Sequence, residues 1–410
     1  LCPHAYAGMR LTGLSDRRVV GDSSPGAASR ARLAVTHVML TNFRSYAAGA
    51  IATSGRPVVL AGPNGAGKTN LLDAISLLSP GRGLRGTRLG EHTRKGPAAP
   101  SDALWAVAAT VACGEESYEI GTGLSIGPNG GERRQVRLNG APASSAADLA
   151  ELVQMVWLTP AMDRLFIEGA SGRRRFLDRL VFGFEPTHAR SATRYETAMR
   201  ERARLLRYGP RDPAWLDGLE AEMTQAGVAL AVSRAETILR LNRALAERGE
   251  AGEFPCAQLS LEGEADALIA EFGDAANDAF RDRFARARIR DAEAGRTTFG
   301  PHVSDLDVRH TAKRMDAHAC STGEQKVLLI SIVLAHAREL SHIREGGAPI
   351  LLLDEISAHL DIRRRAALFE EILALGAQAW MTGTDLSLFG ALGSRADIFL
   401  VADGQFIPQV

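Results

Sequence analysis

Residues 62–69, GPNGAGKT, restrict the possible folds of this chain more than any other stretch. The octet matches the phosphate-loop spacing of Gly, four residues, Gly, Lys and Thr. It follows the apolar run RPVVLAG at 56–62 and leads into an apolar segment at 69–78, so strand, loop and helix are all present around it. A chance glycine turn would not need both neighbours. The glycines let backbone amides turn inward on phosphate oxygens, and the helix N-terminus adds partial positive charge. Gly62, Pro63, Asn64, Gly65, Ala66, Gly67 and Asn70 would wall this cradle. Lys68 is expected to reach the β and γ phosphates of ATP, and the Thr69 hydroxyl to ligate Mg²⁺. Asn64 either bonds the γ phosphate or caps the turn.

At 410 residues and 45% apolar composition the chain can bury a large core. Its 48 basic residues balance 48 acidic ones, so any surface for nucleic acid must be a local patch offset by acid elsewhere. Lysine occurs only at Lys68, Lys95, Lys313 and Lys326, so arginine clusters partly reflect a compositional bias toward Arg. Cys2, Cys113, Cys256 and Cys320 form no C-x-x-C pair, which points away from zinc and disulfide frameworks and toward a reducing cytoplasm. No apolar run is long enough to span a membrane. Residues 1–32, rich in Gly, Ser, Ala and Arg without apolar period, read as a disordered extension or a misplaced start site, with a basic DNA-touching arm as the alternative.

From residue 33 the pattern becomes structured. RLAVTHVMLTNFRSY at 32–46 alternates as strands do, and LWAVAATV, SYEIGTGLSI and RRQVRLNG, within 104–140, are strand-like runs between Gly and Asn turns. Together they predict an antiparallel β subdomain. VQMVWL at 153–158 reads as a further buried strand. Between 173 and 294 apolar positions recur at three and four, giving a helical block that Pro186, Pro210, Pro213 and Pro255 break into hairpin-like arms. Beyond 297 short buried strands and helices alternate again, with PILLLDE, AQAWMTG and DIFLVADG as strands. The expected domains are therefore 33–172, a first ATPase half; 173–296, a helical lobe; and 297–410, a second ATPase half.

A second motif, ILLLDE at 350–355, ends an apolar strand in Asp354, placed to contact Mg²⁺, and Glu355, placed to orient an attacking water. The third, STGEQ at 321–325, opens an apolar helix shortly before that strand. Ser321 and Glu324 also suit a capping box. This order of motifs resembles the ATP-binding-cassette ATPases. The resemblance implies an α/β cassette-type head with an antiparallel β subdomain and an inserted helical lobe. It also implies that Ser321, Gly323 and Gln325 face the γ phosphate held by a second copy, that Asp361 of SAHLD at 357–361 reaches across the same dimer, and that Thr382 or Thr384 stands at the switch position where transporters carry His.

LTNFRSY at 40–46, LSPGRGLRG at 78–86, GRRRFLD at 172–178, GPH at 300–302 and LLLDEISAHLD at 351–361 narrow the resemblance to the RecF family of bacterial DNA repair proteins. It implies an ATP-dependent homodimer that clamps duplex DNA near gaps, hydrolyses ATP slowly, works with RecR and RecO to load recombinase, and has Arg44 near the nucleotide. The pattern departs where Val303 and Ser304 precede Asp305, and where Glu324 brings an acid close to phosphate. For DNA, the basic residues between 173 and 211 supply candidates: Arg173, Arg174, Arg175, Arg200 and Arg204, with Arg281, Arg283, Arg286, Arg288 and Arg290 as a second cluster. A solvated helical face is the alternative for both. A transporter ATPase subunit and a non-catalytic ATP-dependent scaffold are the competing functions. The threonine switch and the helical insertion between phosphate loop and STGEQ argue against the transporter.

Overall fold

The computed structural model describes residues 33–96, 104–143, 149–209, 212–249, 252–343, 347–357 and 360–409. The expected extension at 1–32 lies outside them, as do Ala358 and His359 of the SAHLD loop. The chain divides into two compact units, one formed by Leu1–Val153 with Gly376–Val410 and the other by Gln154–Leu375.

The first unit begins with β1 (Leu33–Phe43), β2 (Tyr46–Ala52), β3 (Val58–Ala61) and α1 (Lys68–Ser76), then β4 (Ala106–Cys113), β5 (Glu116–Ile126), β6 (Glu132–Leu138), β7 (Ala141–Pro142) and the short α2 (Leu149–Leu152). All but β3 of these strands form an antiparallel sheet in the order β2-β1-β4-β5-β6-β7. Period-two patterning sets its faces: Val107, Ala109 and Val111 of β4 are buried while their neighbours are half-buried. β3, VVLA, is buried along its whole length. That suits a strand with parallel neighbours on both sides, and it lies between β13 (Ala379–Gly383) and β14 (Asp397–Ala402), with β15 (Gln405–Gln409) antiparallel to β14.

The second unit contains β8 (Met155–Leu158), α3 (Ala170–Phe184), α4 (His188–Tyr208), α5 (Pro213–Arg248), β9 (Ala257–Glu262), α6 (Glu264–Phe272), α7 (Asn277–Ala294), β10 (Asp305–His310), β11 (Met315–Asp316), α8 (Thr322–Ile343), β12 (Ile350–Leu353) and α9 (Ile362–Leu375). Proline and its neighbours start α5: Pro213 occupies the first turn, and Asp212 Oδ1 accepts the Ala214 amide at 2.9 Å. Helices α4, α5 and α7 share a core in which Phe280, Phe284 and Phe299 meet edge to face at 5.0–6.3 Å. The block read as wholly helical holds a strand, β9, paired with β10 in the sheet β11-β10-β9. Its six residues are too short a run to outweigh the surrounding helical periodicity. α8 is buried through most of its length, as an apolar helix without a polar face must be.

Candidate nucleotide-binding site and basic faces

The phosphate loop leaves β3 at Gly62, whose amide donates to the Gly383 carbonyl at 3.3 Å. Its glycines serve different needs. At Gly62 (φ 152°) a Cβ would lie 2.4 Å from the Val401 carbonyl oxygen, and at Gly67 (φ 108°) 2.6 Å from the Tyr46 hydroxyl, which donates to the Gly67 carbonyl at 3.0 Å. At Gly65 (φ 86°) a Cβ would meet nothing within 4 Å, so the loop opens there. Lys68 is 5% exposed, and its ammonium donates to the carbonyls of Gly62 at 2.6 Å and Pro63 at 2.8 Å, arching the loop over the start of α1. Pro63 and Asn64 are exposed. Ala66 donates its amide to the Pro63 carbonyl at 3.2 Å, and Asn70 its side-chain amide to Ser45 Oγ at 2.9 Å. α1 has no acidic residue in its first turn and no side-chain cap, so its leading amides and Lys68 converge where an anion is stabilised. The donor set fits a nucleotide phosphate chain.

Arg44, expected beside the nucleotide, is tied to α1, the helix that follows the phosphate loop. It sits on a left-handed backbone (φ 52°), and its guanidinium donates to Asp73 at 3.0 Å and Thr87 Oγ1 at 3.0 Å. His92 Nδ1 lies 3.3 Å from the same Asp73 carboxylate, which is fully buried. Burial pushes that carboxyl up, but His92 and Arg44 outweigh it and hold Asp73 below its ordinary range. From the other end Arg134 of β6 clamps α1: it donates to the carbonyls of Leu77, Gly81 (2.8 Å) and Ser79 (3.1 Å) and to Thr122 Oγ1 (2.9 Å). A cation is favourable at a helix C-terminus. Burial lowers this guanidinium to about 10. Sequence patterning carried no signal for Arg134, one of several arginines in a strand whose partners lie far away in the chain.

The remaining motif residues, apart from Thr382 and Thr384, belong to the second unit. Asp354 follows β12, is nearly buried, and donates its amide to the Leu158 carbonyl at 2.9 Å. Glu355 takes a left-handed backbone (φ 50°), an uncommon conformation for a non-glycine residue and one that recurs at functional sites. At the start of α8 the capping box forms: Glu324 Oε2 accepts the Ser321 amide at 3.0 Å and hydroxyl at 2.9 Å, and the Glu324 amide donates to Ser321 Oγ at 3.4 Å. A Cβ on Gly323 would meet nothing within 4 Å. Gln325 faces inward, 3% exposed, donating to the Cys320 carbonyl at 2.9 Å. Expected to meet nucleotide, it braces the turn before the helix. Asp361 caps α9, accepting the Arg364 amide at 2.9 Å. In the first unit Thr382 is buried within β13, whereas Thr384 is exposed just beyond the strand, so of the two only Thr384 stands outside the core. The described residues hold no group of three or more His, Cys, Asp or Glu able to bind a metal ion. A Mg²⁺ ion needs only one or two protein ligands when phosphates and water supply the rest.

The arginine clusters separate. Arg173 binds Asp305 through both nitrogens at 2.7–2.8 Å, and Arg174 donates to the Ser304 carbonyl at 2.8 Å. Both hold the loop after GPH rather than face outward, and Arg174 binds the carbonyl of Ser304, one of the two residues where the family pattern departs. Within GPH, His302 Nδ1 accepts the Tyr195 hydroxyl at 2.8 Å while Nε2 donates to the Thr297 carbonyl at 3.0 Å. Arg202 is fully buried between Glu220 (2.8 Å) and Asp291 (2.6 Å). In the second cluster Arg281, Arg283, Arg286 and Arg288 each pair with a carboxylate, and Arg290 donates to Thr298 Oγ1 at 2.9 Å. That cluster is an internally compensated face. Arg200, Arg204 and Arg207 share a face of α4 at helical spacing, are exposed, and pair with no carboxylate among the described residues. Arg175 is exposed on α3.

A family model described as the RecF/RecN/SMC N terminal domain matches residues 34–389. A "DNA replication and repair protein RecF" of Rhizobium etli (strain CIAT 652) is 49% identical over 374 residues, covering 91% of this chain and 98% of the relative. The protein of the same description from Mesorhizobium japonicum is 50% identical over 376 residues, 91% of this chain and 97% of its own. Among solved structures, the recombination mediator protein RecF-ATPrS of the RecFOR pathway superposes with TM-score 0.79 at 20% identity, covering 94% of this chain and 100% of the other. The Smc head domain derived from Pyrococcus furiosus, bound to the C-terminal domain of ScpA, gives 0.51 at 19% identity over 92% and 96%. The fold is the ATPase head shared by these proteins. No helix of the described residues is long and apolar enough to cross a membrane.

Proposed function

This chain belongs to the RecF family, and from that membership we propose that it is a cytoplasmic DNA repair and replication ATPase: two copies close on ATP, clamp duplex DNA beside a single-strand gap, and reopen after slow, DNA-stimulated hydrolysis. The observation that carries the reading is the near-half identity to curated RecF proteins along almost their full length. The bare start of α1 supports it, because a phosphate chain finds amides and Lys68 there without displacing any acid. When bound, Mg²⁺ would neutralise phosphate charge, with Thr69 and Asp354 as its protein ligands. Lys68 would then exchange the Gly62 and Pro63 carbonyls for phosphate oxygens. Glu355 would accept a proton from the attacking water, and Thr384 would steady that water from the switch position. Ser321 and Gly323 would meet the γ phosphate of the second copy, and Asp361 the same interface.

For DNA the exposed stripe Arg200, Arg204 and Arg207, with Arg175, is the proposed phosphate-tracking face. RecR and RecO are proposed partners in loading recombinase, in keeping with the RecFOR pathway named for a structural relative. The test is anisotropy of a labelled gapped duplex titrated with protein under ATP, ADP and no nucleotide, at low and high salt. Tight binding confined to ATP is expected. Equal, salt-sensitive binding in every condition would reduce the contact to charge attraction and end the clamp reading.

A further inference from the structure

The start of α8 poses an electrostatic conflict. If Ser321 is to meet the phosphate held by a second copy, its hydroxyl proton is already committed to Glu324, and the Glu324 carboxylate occupies the end of the helix where that anion would arrive. Like charges there oppose approach. The conflict has a counterpart in the turn between β10 and β11: Lys313, one of only four lysines in the sequence, donates to the other oxygen of Glu324. That turn is closed by the Arg314 amide on the Thr311 carbonyl at 3.1 Å and by a left-handed Arg314 (φ 52°), so Lys313 is held on a defined support. Its side chain is 49% exposed, leaving an ammonium with room for a further acceptor. Gly323, next to Glu324 in sequence, would tolerate a Cβ in open space, so nothing among the described residues requires glycine there.

Building on the ATP-dependent pairing proposed above, we propose that Lys313 is a positioning residue for the nucleotide of the second copy. Its ammonium cancels the Glu324 charge and draws that carboxylate aside, freeing the Ser321 hydroxyl to donate to the incoming phosphate. Glu324 thus holds Ser321 while the copies are apart, and Lys313 makes its acid compatible with an anionic ligand. Hydrogen bonding to Glu324 raises the Lys313 ammonium above its ordinary value, so it is charged throughout the physiological range.

The test uses the full chain carrying Glu355→Gln to suppress turnover, with sedimentation velocity reading dimer formation in ATP and Mg²⁺, and fluorescent-ATP anisotropy reading binding to the single copy. Lys313→Ala should weaken ATP-dependent pairing about tenfold or more, the scale of an uncompensated like-charge contact, while leaving single-copy ATP affinity unchanged. Lys313→Arg should retain pairing, and the double variant Lys313→Ala with Glu324→Gln should recover it to within about twofold, since the charge to be cancelled has gone. Pairing by Lys313→Ala equal to the parent, or a double variant as weak as the single, would overturn the inference. A parent that stays monomeric with ATP would overturn the pairing reading on which it rests, a result distinct from failure of the Lys313 variants alone.

Discussion

The starts of α1 and α8 are both assigned to phosphate, yet they are built in opposite ways. α1 begins on Gly67, with no side-chain cap and no acid in its first turn, so no carboxylate stands where a phosphate would come. α8 begins on Ser321, with the Ser321 and Glu324 amides already bonded in a capping box and the acid held by Lys313. At α1 an anion displaces no acid, and Lys68 gives up only two backbone carbonyls. The capped α8 must first exchange a hydrogen bond it already makes, which fits a contact formed only when a second copy brings its nucleotide. On this reading α1 supplies affinity and α8 supplies the condition for pairing.

The largest expected effect removes the cation at the start of α1. Lys68→Ala should lower ATP affinity by about one to two orders of magnitude, since a charge-assisted hydrogen bond contributes about 1.5–3 kcal/mol and Lys68 would make at least one such bond. Fluorescent-ATP anisotropy reads this directly, and retained affinity would break the contrast. Gly67→Ala comes next. Left-handed backbone strain costs roughly 1–3 kcal/mol, and the new methyl would press on the Tyr46 hydroxyl. Thermal melting should fall accordingly, with part of the loss recovered by Tyr46→Phe. A Gly67→Ala protein as stable as the parent would mean that the loop does not hold this conformation.

How much of this was legible beforehand depends on whether a residue acts through its neighbours in sequence. The phosphate loop, the strands around it, Asp354 and the Ser321–Glu324 box follow from local spacing, and the structure has each in the expected element. Arginine roles do not follow from spacing. Arg202 and Arg204 are near neighbours on α4, but one is fully buried between Glu220 and Asp291 while the other is exposed. Only tertiary packing distinguishes them. Arg134 and Asp73 were invisible for the same reason, because their partners are set by the antiparallel sheet and by β1. β9 was hidden because its mate, β10, lies far along the chain.

At α8 the expected effects are smaller and differ in sign. Ser321→Ala removes the N-cap hydroxyl, which should destabilise the second unit by about 1 kcal/mol and also abolish the proposed γ-phosphate contact, so stability and ATP-dependent pairing fall together. Gly323→Ala separates them. Alanine in the first turn of a helix is favoured over glycine by roughly 0.5–1 kcal/mol, and the added methyl meets nothing in this chain, so the protein should melt slightly higher. The same methyl would stand in the space through which a phosphate on the second copy must approach, so pairing should weaken even as the single copy becomes more stable. Sedimentation in ATP alongside thermal melting would show this opposition. If both quantities rose, the open side of Gly323 would have no role in pairing, and the distinction between a helix start that binds and one that licenses assembly would fail at its most specific point.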